Sequence, residues 1–196
     1  MNNYHAQSQN LLQNLCLQTK FDRKEIQILY QGFKQECPNG VLNFNAFKQI
    51  YGTFFPAGNS TKYSYYVFKS LDKSRTGTIV FEDFARELSA ISKGSLEDKL
   101  KWAFKLYDVN GDGFISREEM TSIVTAIYEL FSKFPEECRD KVMGDTENFI
   151  KNHVERIFRK MDSNKDGKVT SEEFMNACIK DKNLTKSIEY LNTIFV

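Results

Sequence analysis

The chain has 196 residues, of which 27% are charged and 41% hydrophobic, and carries a formal net charge of +1. That length holds one large domain or two small ones with a true core, and the near-neutral charge excludes non-specific attraction to nucleic acid or an anionic bilayer. No apolar run approaches the roughly 20 residues that span a membrane, and Cys16, Cys37, Cys138 and Cys178 follow no zinc spacing, so they read as free thiols in a reducing cytosol.

Residues 1–20 read as a variable tail. Its opening, Met1-Asn2-Asn3-Tyr4-His5-Ala6, lacks a signal peptide and the Met-Gly start of a myristoylation signal. Cys16 is a candidate acylation site, against the simpler reading of a buried or idle thiol. With no direct anchor evident, any arrival at a membrane is expected to go through a partner.

From Phe21 onward apolar residues recur at i, i+3, i+4 and i+7, the stripe of helices with one buried face. The first stripe is Ile26, Leu29, Tyr30 and Phe33; after a loop over 35–46 the next is Phe47, Ile50, Tyr51 and Phe54. Val67, Phe68 and Leu71 precede a second loop over 72–83, followed by Phe84, Leu88 and Ile91. Beyond a Lys93-Gly94-Ser95 joint come Leu100, Ala103, Phe104 and Tyr107, a loop over 108–119, then Met120, Ile123, Val124, Ile127 and Phe131. A linker over 132–146 leads to Val154, Ile157, Phe158 and Met161, a loop over 162–173, then Phe174, Ala177 and Cys178. The loop glycines Gly40, Gly77, Gly113 and Gly167 recur after 37, 36 and 54 residues, so the chain repeats one helix–loop–helix unit four times. Asp22 with Glu25, Ser116 with Glu119 and Thr170 with Glu173 have capping-box spacing, and Ser95 with Asp98 repeats it with the shorter aspartate.

The third and fourth loops, Asp108-Val-Asn-Gly-Asp-Gly-Phe-Ile-Ser-Arg-Glu-Glu119 and Asp162-Ser-Asn-Lys-Asp-Gly-Lys-Val-Thr-Ser-Glu-Glu173, both satisfy D-x-[DN]-x-[DN]-G-x5-E. This is the EF-hand loop, in which oxygens at positions 1, 3, 5, 7 and 12 surround a calcium ion. One match can arise by chance in an Asp/Gly-rich loop; two, each between helix stripes, point to two Ca2+ sites. The expected ligands are Asp108, Asn110, Asp112, the Phe114 carbonyl and Glu119, and Asp162, Asn164, Asp166, the Lys168 carbonyl and Glu173. In both loops the final glutamate also lies in the first turn of the exiting helix, which ties metal to helix orientation. Position 8 is apolar throughout (Leu42, Ile79, Ile115, Val169), fit to pair as a short strand between two units.

The first loop has Gln35 at position 1, Cys37 at 3, Pro38 at 4 and Ala46 at 12, and is expected to bind no calcium. The second keeps carboxylates only at Asp72 and Asp83, with Ser74, Thr76 and the Thr78 carbonyl between. Asp83 is one methylene shorter than glutamate, which favours the smaller Mg2+; weak magnesium occupancy and an empty loop both fit. The expected fold is therefore all-α, with four EF-hands in two paired lobes over 21–92 and 96–181. An extra C-terminal amphipathic helix over 183–196 aligns Leu184, Ile188, Leu191 and Phe195, either capping the second lobe or lying in a groove that a partner would take.

Taken together, four hands, a Cys37-Pro38 pair disabling the first loop, and the short joint between lobes make the chain resemble the neuronal calcium sensor family. Within it, Leu29-Tyr-Gln-Gly-Phe-Lys-Gln-Glu-Cys-Pro-Asn-Gly40, Phe47-Lys-Gln-Ile-Tyr51, Phe54-Phe-Pro56, Phe81-Glu-Asp-Phe84 and Lys99-Leu-Lys-Trp-Ala-Phe-Lys-Leu-Tyr-Asp108 are most similar to the Kv-channel-interacting proteins. The resemblance implies a cytoplasmic auxiliary subunit of A-type voltage-gated potassium channels, held at the plasma membrane by the channel segment it binds. The linker over 132–146 and the tail depart from that pattern. Sibling targets (a cyclase, a receptor kinase, a lipid kinase) and a calcium buffer are the alternatives, and self-association stays open. Tyr51, Phe54, Phe55, Phe68, Trp102 and Phe104 are the candidate partner groove, drawn from 17 Phe, 9 Tyr and one Trp that otherwise read as core. Neither His5 nor His153 has a catalytic arrangement around it, and no enzyme is expected.

Overall fold

The computed structural model describes residues 12–55, 59–131 and 139–186. It is all-α with four helix–loop–helix units. After a helix over 12–18 (α1), the first unit is α2 (Arg23–Glu36), β1 (Val41–Asn43) and α3 (Phe44–Phe54), and the second is α4 (Thr61–Leu71), β2 (Thr78–Val80) and α5 (Phe81–Lys93). The third is α6 (Leu96–Tyr107), β3 (Phe114–Ile115) and α7 (Arg117–Phe131), and the fourth α8 (Arg139–Met161), β4 (Val169–Thr170) and α9 (Ser171–Lys180), with a last helical turn over 182–186 (α10).

The helices begin where their caps dictate. Asp22, Ser95 and Thr170 each accept from the backbone three residues on while that residue's carboxylate returns to the cap, a reciprocal box that satisfies two otherwise orphaned N–H groups. Ser116 and Glu119 do the same at α7.

The units associate in pairs through their loops. β1 and β2 are antiparallel with Leu42 opposite Ile79, and β3 and β4 with Ile115 opposite Val169. All four side chains are buried. A two- or three-residue strand cannot stand alone, so each loop needs its partner to satisfy its backbone and hide its position-8 side chain. Between the pairs, α4 packs on α6 and α7 and α5 on α6, giving one continuous core. In the first pair that core is largely aromatic, with Phe44, Phe47, Tyr51 and Phe68 in edge and stacked contacts near 5.6 Å.

Two segments depart from expectation. Residues 12–20, read as tail, are docked: Leu15 is buried, the Lys20 N–H donates to Ser89 Oγ at 2.8 Å, and Arg86 Nε donates to Gln18 Oε1 at 3.0 Å. Leu12, Leu15 and Cys16 supply the short stripe that makes this helix amphipathic. The segment 132–146, read as linker, is helical from Arg139 onward, because extending an existing helix costs far less than nucleating one. Residues 132–138, with Cys138, and the C-terminal positions Ile188, Leu191 and Phe195 lie outside the described residues; Leu184 is buried. Among the described residues no helix is long and apolar enough to cross a membrane.

Candidate metal centre

The third and fourth loops are built from the same contacts. At position 1, Asp108 accepts from the N–H groups of Gly111 (2.8 Å), Asp112 (3.1 Å) and Gly113 (3.0 Å). Its counterpart Asp162 accepts from Asp166 (3.1 Å) and Gly167 (3.1 Å). The turn that brings these amides inward needs a left-handed residue at position 6, and Gly113 and Gly167 take φ of 88° and 85°. Asn110 Oδ1 accepts from the Asp112 N–H at 2.8 Å and Asn164 Oδ1 from the Asp166 N–H at 2.9 Å. Asp112 and Asp166 each accept from the N–H of position 7, Phe114 and Lys168.

Position 12 closes each loop. Glu119 Oε1 reaches back to the Asn110 N–H at 3.0 Å while its Oε2 takes the Ser116 N–H and hydroxyl at 2.9 and 2.8 Å. Glu173 Oε1 takes the Ser163 hydroxyl (2.9 Å) and the Ser163 and Asn164 N–H groups, and Oε2 takes the Thr170 N–H and hydroxyl. The Thr170 N–H, helped by the Ser163 and Thr170 hydroxyls and the Asn164 N–H, outweighs the carboxylate's partial burial and pulls the Glu173 pKa down to about 2.

Hard oxygen donors on three carboxylates and an amide per loop suit calcium. Among the described residues no three acidic side chains already converge on one point. Asn110 Nδ2 lies against Asp112 Oδ2 at 3.0 Å and Asn164 Nδ2 against Asp166 Oδ2 at 2.9 Å. Asp108, Asn110, Asp112 and Glu119 in the third loop, and Asp162, Asn164, Asp166 and Glu173 in the fourth, would supply side-chain oxygens to an ion.

The first two loops differ in ways that follow from their residues. In loops two, three and four, position 4 is left-handed: Arg75 (φ 54°), Gly111 (73°) and Lys165 (61°). Pro38 stands there in loop one, and its ring forbids that conformation. In loop two Asp72 keeps its place, accepting from the Thr76 N–H (3.2 Å) and Gly77 N–H (2.7 Å), and Ser74 Oγ, Thr76 Oγ1 and the Thr78 carbonyl are linked by hydrogen bonds. Asp83, however, makes an ion pair with Arg86 at 2.9 Å. The carboxylate that closes loops three and four is thus engaged outside the second loop.

The structure places the candidate partner groove mostly in the core. Tyr51, Phe68, Trp102 and Phe104 are buried, Phe55 is half-buried, and Phe54 is 69% exposed. The stripe that marks a groove-lining face is the same stripe that marks a packed one, and in this conformation packing claims four of the six. His153 is part-buried on α8, beside Arg156 and stacked on Phe149, and burial lowers its pKa.

Two cations at the loops escape sequence reasoning. Arg117, at position 10 of the third loop, pairs with Glu155 at 3.2 Å, approaches Asp162 of the fourth loop at 3.8 Å and lies over the Phe158 ring. Arg75 of the second loop reaches the third, donating to the Asn110 carbonyl at 2.9 Å. Their only sequence signal is a cation inside a loop that concentrates anions.

Residues 97–179 match the family model of an EF-hand domain pair. The match begins in α6 and ends in α9, covering both loops that carry the complete acidic pattern. EF-hand domains bind calcium, and the chain is a calcium-binding protein.

Proposed function

We propose that the chain is a calcium sensor that takes two Ca2+ ions, one at Asp108, Asn110, Asp112, the Phe114 carbonyl and Glu119, the other at Asp162, Asn164, Asp166, the Lys168 carbonyl and Glu173. Its first pair serves a protein target instead of metal. The observation that carries this reading is the contrast at position 12: Glu119 and Glu173 fold back across their loops, Asp83 is paired with Arg86, and loop one has Ala46. On this reading the second loop stays without Mg2+ at its resting geometry.

The target proposed is the apolar N-terminal cytoplasmic segment of an A-type voltage-gated potassium channel, bound as an amphipathic helix, with the protein cytoplasmic and reaching the plasma membrane through it. Support comes from the residue resemblance and from the exposed Phe54 beside a dense aromatic lobe. The test is calcium titration calorimetry on the full chain with Glu119→Gln and Glu173→Gln, followed by binding of the channel segment with and without calcium. Two sites and a calcium-dependent complex are expected. Calcium binding without complex formation removes the channel and leaves a sensor of another target.

One observation favours a second reading, that of a calcium buffer: among the described residues Tyr51, Phe68, Trp102 and Phe104 of the candidate groove are buried. A sensor gains hydrophobic-dye fluorescence on adding calcium, whereas a buffer gains almost none.

A further inference from the structure

We propose that the second loop is a strut: through Arg75 it grips the third loop and carries that loop's calcium state into the N-terminal pair. The inference rests on the assignment of calcium to the third loop.

The grip is on the backbone of a ligand residue. The Asn110 N–H is held by Glu119 Oε1 at 3.0 Å, and the Asn110 carbonyl accepts from Arg75 Nη2 at 2.9 Å. The carboxylate that closes on the ion and the guanidinium from the other pair therefore flank one residue. Gly111 follows, with φ of 73°, and a Cβ there would lie 1.7 Å from Arg75 Nη2. The guanidinium is seated on a bare Cα, in a space that any side chain at position 111 would fill.

The other end of the strut is held by Asp72. Asp72 gathers the Thr76 and Gly77 N–H groups and the Ser74 hydroxyl, so the loop keeps its turn by its own hydrogen bonds. Arg75 is itself left-handed, with its N–H on the Asp72 carbonyl at 3.2 Å. A second link runs in parallel. Lys73, two residues earlier, pairs with Glu87 at 2.5 Å, and Lys105 of α6 approaches the other Glu87 oxygen at 3.9 Å. Glu87 is 5% exposed while the Lys73 and Lys105 side chains are 49% and 50% exposed, so this bridge sits at the solvent edge of the junction of α5 and α6. The two links span a cleft of about 280 Å³ that Lys69, Asp72, Leu106 and Asp108 help to line.

The Asn110 side chain and Glu119 would hold calcium in the third loop, so a change at either would be felt at the Asn110 peptide unit that Arg75 holds. Arg75 is exposed, so its charge acts weakly on the ion through screened solvent; its effect is geometric. Linkage then makes the coupling mutual: a target that shifts the N-terminal pair alters calcium affinity at the third loop, and at the fourth only through the third.

The test is hydrogen–deuterium exchange on the full chain in calcium and in chelator, read over residues 72–80, with calcium calorimetry in parallel. Calcium is expected to slow exchange over 72–80 in the parent chain. Glu173→Gln should keep that slowing and Glu119→Gln should lose it. Arg75→Ala and Arg75→Gln should reduce it by about tenfold, the scale of one hydrogen bond to a charged group, while both calcium sites still fill. Retained slowing in both Arg75 variants overturns the strut. So does its absence in the parent chain when calorimetry finds the third loop filled. Calorimetry that finds no calcium in the third loop overturns the site assignment and the strut with it.

Discussion

Glu119 does two jobs, and substitution by glutamine separates them. Glu119 accepts from the Asn110 N–H and, at the other oxygen, from the Ser116 N–H and hydroxyl. Glutamine keeps one acceptor oxygen and still completes a capping box. The Ser116 bonds survive and the Asn110 bond is lost, a cost of about 1 kcal/mol. Toward calcium the change is larger, because the two-oxygen ligand becomes a one-oxygen ligand and the charge is gone. Loss of one charged contact is about 1.5–3 kcal/mol, or about 10- to 150-fold in Kd. Glu119→Ala also removes the acceptor for the Ser116 N–H and hydroxyl, adding about 1 kcal/mol of destabilisation without metal, while Ser116 Oγ still caps the N–H of residue 119. Calorimetry reads the first quantity and thermal unfolding in chelator the second. Because Ile115 and Val169 pair across the two loops, the fourth site should weaken too, by less. Glu119→Gln destabilising the chain in chelator as much as Glu119→Ala, or leaving both sites at parent affinity, would refute this separation of roles.

Ile79→Ala removes a buried partner of Leu42 from the first pair and should cost about 2–5 kcal/mol in urea unfolding, with calcium stoichiometry unchanged. Asp98 is held at a pKa of about 2, against an ordinary 3.8, by the Ser95 N–H and hydroxyl and by Lys20. A carboxylate depressed on folding stabilises above its unfolded value, so this contribution is present above about pH 4 and lost as pH falls toward about 2. Asp98→Asn should flatten that acid limb in unfolding scans run in chelator; an unchanged limb refutes the assignment. Phe54→Ala should leave stability within about 0.5 kcal/mol, whereas Trp102→Ala, in the core, should cost about 3–5 kcal/mol. If Phe54 contacts the target, its alanine variant should lose about 2 kcal/mol or more of target affinity.

What the sequence made legible is what spacing controls. Loop positions 1, 3, 5 and 12, the capping pairs and the apolar position 8 all depend on separations within twelve residues, so local chemistry alone places them. The pairing of Leu42 with Ile79 follows because a lone position-8 strand has nowhere else to satisfy its backbone. The contacts of Arg75 and Arg117 could not be read this way, since a cation in a loop gives no sign of which carbonyl or carboxylate another unit will offer it. The docked helix over 12–18 was missed because its stripe is three residues long and sits beside a polar tail. For Tyr51, Phe68, Trp102 and Phe104 the sequence shows an apolar face, and whether that face meets core or partner is decided by tertiary packing.

The loss of metal ligands in the first pair has a consequence for how its shape is set. In loops three and four the position-12 carboxylate holds backbone N–H groups of its own loop, and under the proposed function it would exchange them for the ion, so helix orientation there would answer to calcium. Loop one has no such group and loop two has committed its own to Arg86, so neither can answer directly. Closure of the first pair therefore rests on the Leu42–Ile79 strand contact and the Phe44, Phe47, Tyr51 and Phe68 packing, none of which senses calcium. Under the proposed function two routes would lead from calcium to that aromatic lobe: the packing of α4 on α6 and α7, and the Arg75 contact with Asn110. The close-packed helix interface transmits shifts of whole helices, whereas the 2.9 Å Arg75 hydrogen bond follows the position of one loop residue. A calcium effect on target binding that survives loss of the Arg75 side chain would place the signal in the helix interface; one that disappears would place it in the loop that no longer needs metal.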